Sequence, residues 1–152
     1  MIQRIQTLYM LASAVLGVVC LSMPLGHYHT PDGILWGTLF NLWLTTSEGQ
    51  HLFTPWALFA LLVLVTTLTF LNIFLYRRRA LQMRTLVLCI LLLVGYHAWL
   101  GCLVFMQCKA GGLTFTPSVT AALPFVGIVL DYLAFRATLR DELLVKSLDR
   151  LR

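Results

Sequence analysis

Four arginines interrupt an otherwise apolar stretch: Arg77, Arg78 and Arg79 in a row, and Arg84 five residues further on. They stand between two long apolar runs, 55–76 and 85–106. Short loops rich in Lys and Arg stay on the cytoplasmic side of a membrane. The pattern therefore predicts two spans joined by an inner loop, and the side of every other segment follows from it.

The rest of the chain has the composition for this. Of its 152 residues, 59% are hydrophobic and 11% charged, and the mean hydropathy is +0.85. That is more apolar surface than a soluble domain of this size needs. A spanning helix takes roughly 20 apolar residues, and four such runs fit, at 5–25, 55–76, 85–106 and 117–135. The expected fold is an all-α integral membrane protein. It is a single domain over 1–152, a left-handed bundle of four transmembrane helices with both termini cytoplasmic and a helical tail over 136–152. With this topology only Lys109, of the 11 Lys and Arg residues, lies outside. Topology and attraction to anionic headgroups account for the basic surplus. A nucleic-acid partner is not expected, because no basic groove with interleaved aromatics appears. The lipid bilayer is the first partner.

Arg4 followed by an apolar run is also the start of a signal peptide. The run is long, Ser22-Met23-Pro24 makes a poor cleavage site, and Val19 before Cys20 spoils a lipobox, so an uncleaved helix is expected. The segment 26–52 is the main outer loop. Pro31-Asp32-Gly33 signals a turn, an aromatic-rich run follows over 34–44, and Ser47-Glu48-Gly49 closes it. This run is too short to span; it forms a small β-hairpin or an interfacial segment with its tryptophans at headgroup level. Phe53-Thr54-Pro55 and Phe115-Thr116-Pro117 both read as helix starts, with Thr capping and Pro at the first helical position. Convergent capping explains the repeated triplet better than an internal repeat. Pro124 predicts a kink in the fourth span, and Gly95 and Gly101 thin the third.

Asp131 is the only acid inside a predicted span. A carboxylate at mid-bilayer costs about 2.5–3.5 kcal/mol on insertion scales, so a partner or water is expected. The sequence predicts a structural polar layer of Asn72, Asp131, Arg77 and Arg136 near the inner interface, and a proton or cation site at Asp131 is the rival reading. His97, alone within the spans, reads as a packing residue rather than a haem ligand. His27, His29 and His51 share the outer loop without an adjacent Cys ligand, so no metal is expected. Cys20, Cys89, Cys102 and Cys108 form no Cys-x-x-Cys, and burial as small hydrophobes is the default. No cofactor is expected.

The opening Met1-Ile2-Gln3-Arg4-Ile5-Gln6-Thr7-Leu8-Tyr9 and the ending Lys146-Ser147-Leu148-Asp149-Arg150-Leu151-Arg152 resemble those of a family of small four-helix inner-membrane proteins of Bacteroidota, a domain of unknown function. The resemblance covers the whole chain and implies a bacterial inner-membrane location without an activity. The architecture also resembles, loosely, claudin-type tetraspan proteins, with Asn41-Leu42-Trp43 in the first outer loop; the paired loop cysteines of claudins are absent.

The tail reads as a helix continuous with the fourth span. Leu133, Ala137, Leu144, Leu148 and Leu151 share one face, and Leu144, Leu148 and Leu151 have the anchor spacing of a docking helix. With no nucleophile, phosphate loop or metal set in the sequence, the expected function is a non-enzymatic accessory or assembly subunit of a larger membrane complex. A small proton-coupled transporter using Asp131 is the alternative, and a membrane redox or quinone-linked protein the third.

Overall fold

A computed structural model describes residues 2–149, together with their side chains except those at 2–4, 77 and 146–149. Four helices are long and apolar enough to cross a membrane: α1 (Ile2–Ser22), α2 (Trp56–Phe74), α3 (Arg79–Gly111) and α4 (Leu123–Asp149). They pack in ring order, α1 against α2 and α4, and α3 against α2 and α4.

Each helix buries one seam. On α2 it is Leu58, Leu62, Val65, Thr69 and Asn72; on α3 it is Gln82, Leu86, Cys89, Leu93, Tyr96 and Leu100. On α1 the seam holds Gln6, Met10, Ser13, Gly17 and Cys20, and on α4 Pro124, Gly127, Asp131, Ala134, Thr138 and Asp141. The steps alternate between three and four, the spacing of a left-handed supercoil. Gly17 lets α1 approach α2 closely, since a Cβ there would overlap the Thr66 hydroxyl.

The chain is not all-α. The loops at one end of the bundle form a five-stranded antiparallel sheet in the order β4-β3-β2-β1-β5. The strands are β1 (Gly26–His29), β2 (Leu35–Leu39), β3 (Leu44–Thr46), β4 (His51–Leu52) and β5 (Thr114–Pro117). The expected hairpin is thus only part of the structure. The strands are two to five residues long, too short for a period of two to stand out. The partner that completes β1 comes from the other outer loop, pairing Gly26 with Pro117 and His29 with Thr114.

Two of the hairpin turns share one design. Thr30 and Thr46 each begin a turn whose glycine, Gly33 at φ 78° or Gly49 at φ 79°, takes the left-handed conformation. In each the threonine hydroxyl accepts the backbone N–H of the residue four positions on. Gly26 has a different purpose: a Cβ there would run into the Phe115 ring and the Thr116 carbonyl, so glycine allows β1 and β5 to close.

The helix starts differ from expectation. Pro55, not Thr54, is the N-cap of α2, and no side-chain cap bond forms. Thr116 and Pro117 belong to β5, a 3-10 turn follows over Val119–Ala122, and α4 begins only at Leu123. Sheet pairing has claimed the residues that read as a cap. Pro124 then falls in the first turn of α4, where its missing N–H has no intrahelical partner to lose, instead of kinking a span.

The tail helix is continuous with α4 through Asp149; residues 150–152 lie outside the described residues. Its buried face is the reverse of the apolar one. Ala134, Thr138 and Asp141 are buried, whereas Leu133 and Leu144 are exposed. In lipid the apolar stripe of a helix marks what faces out, and small or polar residues mark the packed seam.

Candidate functional site

The end of the bundle opposite the sheet is polar inside. Gln6 on α1 donates from Nε2 to Asp141 Oδ2 on α4 at 3.3 Å, and Arg79 on α3 donates to the Asp141 carbonyl at 3.1 Å. Asn72 and Gln82 exchange bonds across the α2–α3 turn. Asn72 Nδ2 donates to the Gln82 carbonyl at 3.2 Å, and Gln82 Nε2 donates to the Asn72 carbonyl at 3.4 Å. Gln82 Nε2 also lies 3.7 Å from Met10 Sδ. These bonds bring both chain ends and the arginine-rich turn to the same end of the bundle.

Asp131 lies deeper, between this layer and the apolar core. It is fully buried. The Ser13 hydroxyl on α1 and the Cys89 thiol on α3 lie near it. Neither carboxyl oxygen has a partner in hydrogen-bonding geometry among the described residues, and the buried Asn72 Oδ1 is in the same condition. A cavity of about 10 Å³ lies between the helices, lined by Ser13, Thr66, Thr69 and Gly127 and by apolar residues such as Leu62, Val65 and Leu93. That is about the size needed for a single water.

The expected polar layer is thus divided. Asn72 pairs with Gln82 rather than with Asp131. Arg136 is exposed, because five residues along a helix turn it about 140° from Asp131 at 3.6 residues per turn. The Arg77 side chain lies outside those described. The arginine that reaches into the bundle is Arg79, and it meets Asp141. Arg78 and Arg84 are exposed. Gln6, Ser13, Thr69, Gln82, Thr138 and Asp141 are buried polar residues that carry no role in the sequence reading. Their signal was their place on the three-and-four seams of their helices.

Of the docking residues, Leu144 is 53% exposed, while the Leu148 side chain and Leu151 lie outside the described residues. Its neighbours Leu143 and Val145 are exposed at 58% and 44%. Past Asp141, then, this arm of α4 continues as helix with exposed apolar residues, and Leu144 shares a groove with Ile5 and Tyr9 of α1.

At the sheet end a second polar cluster is fully bonded. Asn41 is completely buried in the turn between β2 and β3. Its Nδ2 donates to the Cys20 carbonyl at 2.7 Å, and its Oδ1 accepts from the Tyr96 hydroxyl at 2.7 Å. Thr120 donates to the Pro24 carbonyl, and the Cys20 thiol to the Thr120 carbonyl at 3.5 Å. One asparagine thereby ties the sheet to α1 and α3. Tyr28, beneath the sheet and 4.9 Å from the Phe115 ring, has its hydroxyl buried without a partner among the described residues. Burial, and then the nearby Cys108 thiol, push it up to about 12.

His97 bonds the Leu93 carbonyl at 2.9 Å and stacks edge-on to Tyr96 and Phe125. His27 and His51 each bond a threonine hydroxyl, on different strands. Among the described residues no group of three or more His, Cys, Asp or Glu side chains is placed to hold a metal. Cys20, Cys89, Cys102 and Cys108 are free thiols.

A search of the curated proteins finds no match to this chain. A family model does match, over residues 2–151. The end motifs and the four-helix design agree with that match, and the chain belongs to the family described as "Domain of unknown function (DUF4293)".

Proposed function

We propose that the protein is a non-enzymatic accessory or assembly subunit of a larger integral membrane complex in the bacterial inner membrane. Its termini and the Arg77–Arg84 turn face the cytoplasm and the sheet faces the periplasm. The observation that carries this reading is the arm of α4. Beyond Asp141 the helix continues with Leu143, Leu144 and Val145 exposed, beside Arg140, Asp141, Glu142 and Lys146. The mixed charge suits a protein partner better than an anionic lipid surface, which favours a mostly basic polar face. Deleting 143–152 leaves every seam residue in place. The shortened protein is expected to insert and melt like the parent but to lose the proteins that copurify from native membranes in mild detergent. Unchanged copurification would remove the arm from the account. The orientation is tested by membrane-impermeant labelling of Glu48→Cys and Arg78→Cys, where only the first should react from outside.

Proton-coupled transport is the second reading, favoured by one observation: Asp131 is completely buried with both oxygens unpartnered among the described residues. Reconstituted into vesicles with a pH gradient, the parent should then dissipate the gradient faster than Asp131→Asn. Equal rates would exclude this reading.

A further inference from the structure

Between α1 and α4, at the end opposite the sheet, runs a groove of about 390 Å³. Ile5, Tyr9, Leu133 and Ala137 line it with apolar surface, and Arg136 and Arg140 stand on its wall. We propose that this groove is a binding site for one anionic phospholipid, an acyl chain lying on the apolar floor and the phosphate held by the two guanidiniums. The inference rests on the reading that the bundle spans a membrane.

The two arginines are one turn apart on α4, so their side chains are neighbours on one helix face. Both are exposed. The acid that follows, Asp141, is turned into the bundle, where it accepts from Gln6, so the groove side of α4 keeps its positive charge. Paired guanidiniums match phosphate oxygens with directed, charge-assisted hydrogen bonds. Directly beside them, Ile5 is 49% and Leu133 37% exposed. A soluble acidic peptide would leave that apolar floor partly wet, and a free phosphate would leave it wholly so. A phospholipid supplies charge for the arginines and hydrocarbon for the floor from one molecule. The level is also right: Arg136 follows Asp131 by five residues, about 7.5 Å along the axis, which is where a span gives way to headgroups.

The test uses the full chain purified in mild detergent, with native mass spectrometry and melting curves during titration of phosphatidylglycerol, phosphatidylcholine or inorganic phosphate. Phosphatidylglycerol is expected to bind and to raise the melting temperature; phosphatidylcholine and inorganic phosphate are not. Joint replacement Arg136→Gln and Arg140→Gln should weaken phosphatidylglycerol binding roughly 30-fold, about fivefold per arginine. The control pair Arg78→Gln and Arg84→Gln should retain binding. Ala137→Trp, which fills the groove and keeps both charges, should also lose the lipid, and it carries the test if the arginine pair fails to fold. Equal loss in the control pair, unaffected binding by Ala137→Trp, or stabilisation by inorganic phosphate alone would overturn the proposal. Insertion of each variant into vesicles is measured first, so a failure to span a membrane is told apart from a failure to bind lipid.

Discussion

Asn41 and Asp131, buried toward opposite ends of the bundle, are held on opposite terms. At the sheet end Asn41 is enclosed and bonded on both sides, to the Cys20 carbonyl and to Tyr96. Toward the other end Asp131 is just as enclosed, with both oxygens unpartnered among the described residues. A satisfied buried network stabilises and specifies a structure, whereas an unsatisfied polar group costs the full desolvation of that group. The Asn41 network therefore stabilises the fold. Asp131 is a group that stability alone does not account for.

The largest effect should come from breaking the satisfied end. Asn41→Ala strands the Tyr96 hydroxyl and the Cys20 carbonyl, at about 1–3 kcal/mol for each buried group left unsatisfied, and the melting temperature in mild detergent should fall accordingly. Gly26→Ala comes next. Its Cβ would meet Phe115 and the Thr116 backbone, so β5 must shift, at about 1–3 kcal/mol for overpacking; the same melt reads the loss. Gln82→Ala removes a bond to the Asn72 carbonyl but leaves the one Asn72 donates, and should cost about 1 kcal/mol. A loss as large as that of Asn41→Ala would mean that the polar end is also a stability centre.

Tyr28 tests the sheet end by pH. Its folded value of about 12 is above the roughly 10 of a free tyrosine. Its contribution is fully present below that free value and is lost as pH rises through the folded one, because the unfolded chain ionises first. Stability should decline over that alkaline window in the parent. In Tyr28→Phe, which also removes an unpartnered buried hydroxyl, the decline should be weaker and the neutral-pH stability no lower.

Much of the bundle was legible because lipid demands long apolar runs, and both glycine turns were legible because Asp32-Gly33 and Glu48-Gly49 are turn chemistry. The sheet was not. Thr114–Pro117 pairs with Gly26–His29 across most of the chain, and four residues beginning a helix or ending a strand look alike. The buried layer was only half visible. Asp131 stood out by its charge, but its arginine partner was sought by depth alone, and rotation about α4 puts Arg136 on another face. Thr138 and Asp141 were hidden because the more apolar face of α4 drew the eye and proved to be the outer one.

Whether Asn41 and Asp131 differ in kind is decided by the melting temperature of Asp131→Asn, measured beside that of Asn41→Ala. The amide keeps the shape and removes the charge that a lone buried carboxylate carries at a cost. Asp131→Asn should melt at or above the parent while Asn41→Ala melts well below it. A fall in Asp131→Asn comparable to that in Asn41→Ala would contradict it, because Asp131 would then be part of the bundle's stabilising structure.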